Sequence, residues 1–197
     1  GDVGIAETSS TAANALVLAM PMNRTFGFQD INVAIRGLTS GASAGTAKTV
    51  GLGTTSTANA PSQPMISSSE SKWYDGAGYF DGGDYAGISS SSDFAFGTGD
   101  YTIEFFVNST ETTNTDQSIL DFREGGGRYY YIRTTSGSFT ILTPSVTVSA
   151  STSNNKWVHL AFVRLNSTET IYVNGINVSS SSVSTNYSSA TSLYLGK

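Results

Sequence analysis

The sequence predicts an all-β protein built from two antiparallel sheets packed as a sandwich. Three observations carry this. Short apolar or alternating segments recur between turns rich in Gly, Asn and Ser. Asn174-Gly175, the strongest two-residue hairpin signal, stands between two such segments. No segment carries an apolar stripe of helical period long enough for a confident helix. The length, 197 residues, suits a single domain.

Taken in order, residues 1–14 are small and polar and read as an arm or linker ahead of a domain over 15–197. Ala15-Leu16-Val17-Leu18-Ala19-Met20, closed by Pro21, predicts a buried strand. Over 33–71 the composition shifts to Gly, Ala, Ser and Thr, a long loop or strap with one strand at 49–52. Asp81-Gly82-Gly83-Asp84 is turn chemistry before Tyr85. Tyr101, Ile103, Phe105 and Val107 alternate with Thr102, Glu104 and Phe106. Further strands read at 118–123, 128–134, 138–142 and 146–150, the first two joined by Glu124-Gly125-Gly126-Gly127. In 157–165, Trp157, His159, Ala161 and Val163 share one face; Val158, Leu160, Phe162 and Arg164 share the other. Ile171-Tyr172-Val173 leads into the Asn-Gly turn, then Ile176 and Val178, and 193–195 opens one more strand.

Composition excludes several classes of function. The net charge is −5 and the pI about 4.7, with no basic run, which argues against a nucleic-acid groove or an anionic membrane surface. No apolar stretch approaches the roughly 20 residues of a membrane span. Cysteine is absent, so disulfides, thiol catalysis and cysteine-held zinc are excluded. A single histidine excludes a His-rich metal site. Charged residues are 13%, about half the usual 25%, and Ser and Thr replace them. The first residues have neither a basic start nor an apolar core, and the chain does not begin with Met, so an internal piece or mature form is expected.

Four blocks occur in order: Tyr79-Phe80-Asp81-Gly82-Gly83-Asp84-Tyr85; Phe96-Gly97-Thr98-Gly99-Asp100-Tyr101-Thr102-Ile103-Glu104-Phe105-Phe106-Val107; Trp157-Val158-His159-Leu160-Ala161-Phe162-Val163-Arg164; and Ile171-Tyr172-Val173-Asn174-Gly175. Together they resemble the laminin-G-like, concanavalin A-like jelly roll, in the version common in bacterial surface proteins and phage structural proteins. In this reading Trp157 and the aromatics of 101–107 fill the space between the sheets. Phe106 stands where the family often has Trp. The family's closing strand, an Asp-Arg-containing segment after Phe-x-Gly, is missing. Either the protein continues past Lys197, or the N-terminal arm or another chain supplies the pairing.

Related jelly rolls include β-glucanases, whose two catalytic carboxylates emerge on one face of one strand. Here Glu104 stands alone on its strand, and Asp121 and Glu124 fall on opposite faces. His159, mid-strand and without a Gly-x-Ser-x-Gly elbow, reads as a packed histidine. No enzymatic activity is expected. Calcium is the ion the resemblance implies, held at the rim by carboxylates and carbonyls. Asp30, Asp81, Asp84 and Asp100 all fall in expected turns, as candidate ligands or as ordinary turn chemistry. Arg128-Tyr129-Tyr130-Tyr131-Ile132-Arg133 is the most suggestive surface stretch. Alternation places Tyr129, Tyr131 and Arg133 on one face and Arg128 on the other, so aromatic rings and guanidinium groups there could read a glycan or a partner, or one face could lie in the core.

The expected function is a non-catalytic virion module, a phage capsid decoration or tail adhesin binding a neighbouring shell protein or a host surface glycan. Such a module works within an assembly of several chains. The alternative is a calcium-dependent carbohydrate-binding or adhesion domain of a secreted protein at the bacterial cell surface.

Overall fold

The computed structural model describes residues 18–32, 46–54, 63–73, 75–110, 117–124, 127–135, 138–142, 147–151, 155–188 and 192–196. Its strands, in chain order, are β1 (Val50–Thr54), β2 (Met65–Ser67), β3 (Ala77–Tyr79), β4 (Asp84–Ile88), β5 (Tyr101–Asn108), β6 (Gln117–Glu124), β7 (Gly127–Thr135), β8 (Ser138–Leu142), β9 (Thr147–Ser151), β10 (Trp157–Leu165), β11 (Thr168–Val173), β12 (Ile176–Ser182) and β13 (Ser192–Leu195). The chain divides into two compact units, Gly1–Gly51 with Met65–Tyr79, and Leu52–Pro64 with Phe80–Lys197.

In the first unit β2 and β3 pair antiparallel, Met65 opposite Tyr79. The Asn23 side chain accepts hydrogen bonds from the Thr25 and Phe26 amides and starts a tight turn that the Gly27 amide closes on the Asn23 carbonyl. The strand expected at 15–20 is not found in its described part: residues 18–20 join no sheet, and Ala19 instead accepts from the Ile31 amide. The Ala19 amide in turn donates to Asp30, so a side chain supplies the pairing that a ladder would have given. Residues 1–14 and 33–45 lie outside the described residues.

The second unit is the sandwich. One sheet has the order β1-β4-β13-β6-β7-β8-β9 and the other β12-β11-β10-β5. β13 enters the interior of the larger sheet, antiparallel to both β4 and β6. The smaller sheet ends at β12 on one side and β5 on the other. Period-2 alternation points one set of side chains into the space between the sheets. From the larger sheet these are Ala86, Ile88, Leu120, Phe122, Ile132 and Leu193; from the smaller, Val158, Leu160, Phe162 and Ile171, all buried. Phe94 and Phe96 join the layers: both meet Phe122 edge-on, and Phe96 stacks on Tyr101 at 4.8 Å between ring centres.

Trp157 does not fill this interior. It is half-buried on the outward side of β10, opposite Asn108, because Val158, Leu160 and Phe162 take the inward positions and parity leaves Trp157 outside. Phe106 is outward for the same reason, and 37% exposed.

The β11–β12 hairpin turns on Asn174 and Gly175, both with positive φ (51° and 79°), as a two-residue turn matched to the strand twist requires. A Cβ at Gly175 would meet nothing within 4 Å, so any cost there is conformational. Gly175→Val is expected to lower stability by about 1 kcal/mol or more. Equal melting of variant and parent would show that the turn lies elsewhere.

Candidate functional site

The outward face of the smaller sheet assembles from its strand registers. Alternation in β5 turns Thr102, Glu104 and Phe106 to solvent, and alternation in β10 puts His159, Ala161 and Val163 on the same side, His159 and Val163 half-buried and Ala161 buried under its neighbours. Pairing sets His159 opposite Phe106 and Ala161 opposite both Glu104 and Tyr172. The Phe106 and His159 rings lie 4.7 Å apart at 37°. His159 Nε2 is 3.4 Å from Glu104 Oε2, with Glu104 63% and His159 26% exposed. The His159 backbone is held by the hairpin turn: its amide donates to Asn174 Oδ1, and its carbonyl accepts from the Asn174 amide. On β11 and β12, Thr170, Ser180 and Asn177 form a polar chain, Ser180 Oγ donating to Thr170 Oγ1 at 3.2 Å and Asn177 Nδ2 to Ser180 Oγ at 3.0 Å. The imidazole is therefore half-packed against a ring and a carboxylate. It is not a fully enclosed core histidine.

Behind this face, on the inward side, sits a buried polar cluster. Arg164, 1% exposed, donates to the carbonyls of Thr185 (2.8 Å) and Gly97 (3.4 Å) and lies over the Tyr187 ring. Its cross-strand partner is Glu169, whose Oε1 accepts from Tyr187 Oη at 2.6 Å and Tyr101 Oη at 2.8 Å. Burial first, and then the charge and hydrogen bonds of Glu169, push both phenols well above the ordinary tyrosine range. Both remain neutral donors at any working pH. The cluster fixes the carbonyl-bearing loops at 97 and 185 to β10 and stiffens the platform.

The acidic residues singled out by the sequence are placed as turn-closers. Asp30, in the first unit, accepts from the amides of Ala19 and Asn32 on one oxygen and Lys48 on the other. Asp100 accepts from the Asn166 amide and ties the β10–β11 turn, where Asn166 and Ser167 both have positive φ. Asp81 and Asp84 come together: Asp81 Oδ1 accepts from the Gly83 amide and Asp84 Oδ1 from the Asp81 amide. Burial, with Asp81's charge adding to it against the amide bonds, raises the pKa of the Asp84 carboxyl. A hard cation needs about six to eight oxygens. Among the described residues no three acidic or histidine side chains converge on one point, and of the four only Asp81 and Asp84 adjoin.

β7 runs between β6 and β8, with Tyr131 opposite Asp121 and Leu142, and Arg133 opposite Ser118 and Thr140. Arg133 is half-buried on the side opposite the core residues Ile132 and Thr134. The side chains of Arg128, Tyr129 and Tyr131 lie outside the described residues. Sequence reading noticed Glu104 and His159 one at a time. Their meeting needed the β5–β10 register, which two separate alternating strands do not announce.

A family model described as the concanavalin A-like lectin/glucanases superfamily matches residues 80–197. No curated protein matches the chain. Among solved structures, the binding domain of botulinum neurotoxin DC, in complexes with SialylT and with rat synaptotagmin II, superposes with TM-score 0.62 at 10% and 11% identity. The match covers 93% of this chain but only 43% and 44% of those chains. Domain 4 of AbnA, a GH43 extracellular arabinanase from Geobacillus stearothermophilus, in complex with arabinotriose, superposes with TM-score 0.53 at 12% identity, covering 74% of this chain and 72% of that one. At such identities the likeness is one of fold. Together with the two-sheet sandwich and the family match over more than half its length, this means that the chain belongs to the concanavalin A-like lectin/glucanase superfamily.

Proposed function

We infer that the chain is a non-catalytic recognition module that holds a glycan or a neighbouring protein. The observation that carries this is the chemistry around Glu104. It is the only carboxylate that β5, β10, β11 and β12 turn outward, and its ionisable neighbour is His159. Glycoside hydrolysis needs two carboxyl groups flanking the bond, one as acid and one as base or nucleophile. A lone acid beside an exposed aromatic ring suits binding. The structural neighbours are binding domains or a domain seen with an oligosaccharide, which agrees with this reading.

In its finer form the module decorates a virion, as capsid decoration or tail adhesin; a cysteine-free, Ser/Thr-rich, mildly acidic composition supports that setting. A calcium-dependent adhesion domain is the second reading, and the adjoining Asp81 and Asp84 favour it. Incubation with immobilised polysaccharides tests the proposal. Retention without release of reducing ends is expected, unaffected by a calcium chelator. Turnover that disappears in Glu104→Gln would overturn it, and retention abolished by the chelator would move the reading to the adhesion domain.

A further inference from the structure

In the first unit a lysine and an asparagine are buried side by side. Asn32 is 0% and Lys48 7% exposed, whereas Lys72 and Lys156 are open to solvent. An ammonium group is costly to bury, so the placing of Lys48 calls for a reason. Its Nζ donates to the Thr46 carbonyl at 3.1 Å, and Asn32 Nδ2 reaches the same oxygen at 3.4 Å. Two donors that share one oxygen are near neighbours, so the lysine amine stands beside the asparagine side-chain amide. Asp30 holds this arrangement from behind. Its Oδ1 accepts from the Asn32 backbone amide at 3.0 Å and its Oδ2 from that of Lys48 at 2.8 Å, so one carboxylate ties the two backbones together.

We propose that Lys48 and Asn32 join as an intramolecular isopeptide bond. The lysine amine is the nucleophile and the Asn32 side-chain carbonyl carbon, Cγ, the electrophile. The Nζ–Cγ bond forms and the Cγ–Nδ2 bond breaks. The two protons that Nζ gives up pass to the departing nitrogen, which leaves as ammonium. Nothing is oxidised or reduced, and no co-reactant enters. Attack of an amine on an amide is slow between free molecules in water, and holding the two groups together supplies much of what it lacks. Asp30 and the Thr46 carbonyl do that holding. The product is a neutral amide, so the reaction also removes a buried charge. The bond closes a ring of chain between 32 and 48 and narrows the unfolded ensemble as a disulfide does, in a protein with no cysteine to make one.

The test is mass spectrometry of the full chain, denatured after purification. The parent is expected to be about 17 Da lighter than its sequence requires, the mass of the ammonia lost when an amine displaces it from an amide. Trypsin then spares Lys48 and yields one branched peptide joining residues 25–36 to 37–72. Fragmentation of that peptide places the bond at Asn32 and Lys48 directly, so the result does not depend on how well any variant folds. Lys48→Arg keeps a cation but offers no amine, and Asn32→Leu removes the carbonyl carbon that is attacked. Both are expected at their full sequence mass, with 25–36 released as a separate peptide. A parent of full sequence mass that trypsin cuts after Lys48, unchanged by prolonged incubation at physiological temperature, overturns the proposal. A loss of the same mass found only at Asn174-Gly175, as the cyclic imide that such a pair can form, overturns it as well.

Discussion

Arg164→Ala is expected to destabilise the sandwich by about 3–5 kcal/mol, because it empties a fully buried site and leaves carbonyls without their donor. Arg164 is 1% and Glu169 5% exposed, and the two face each other across β10 and β11. Removing the guanidinium also strips donors from the Thr185 and Gly97 carbonyls. For a chain of this size the loss lowers the melting temperature by on the order of 10 °C. The cost belongs to the vacated volume and to the carbonyls left without a donor. Arg164→Met refills much of the volume but not the hydrogen bonds, and is therefore expected to recover only part of it. Thermal melts of the two variants check this. Equal losses in both would show that the vacated volume contributes nothing.

Phe122→Ala is the second large effect, about 3–5 kcal/mol, from lost burial and the cavity left behind. Its ring is 3% exposed and receives Phe94 at 5.7 Å and Phe96 at 6.0 Å, so it joins the larger sheet to the loop that leads into β5. Urea unfolding measures it. The comparison is Phe106→Ala, the same chemical deletion at an outward position of β5, which is expected to stay within about 0.5 kcal/mol of the parent. If the two losses are equal, the inward and outward faces have been assigned wrongly.

Much of the sandwich was legible in the chain because its signals are local. Alternation over 101–107 and 157–165 gave β5 and β10, and Asn174-Gly175 gave a turn whose positive φ values only such residues adopt readily. The long Gly/Ser-rich stretch concealed β2, where Met65, Ile66 and Ser67 are too few to show a period. The described end of the apolar run, residues 18–20, joins no sheet, since apolar residues without a pairing partner do not make a strand. Alternation also says that two faces exist, without saying which one is inside. Trp157 suggested the interior, yet it shares parity with exposed His159, while Arg164, a residue rarely buried, shares parity with Leu160 and Phe162. The cluster around Arg164 was illegible for a topological reason. Tyr101 and Glu169 are 68 positions apart and meet only once β5, β10 and β11 have paired.

The central claim is that the surface formed by β5, β10 and β11 is where this module takes hold of its ligand. Chemical-shift mapping of the labelled chain during titration with a binding oligosaccharide tests it most directly. The largest changes are expected at Glu104, Phe106, His159, Ala161 and Tyr172, with the buried Arg164 cluster silent. Changes confined to β7 or to the Asp81–Asp84 turn, with those five residues unmoved, would contradict it.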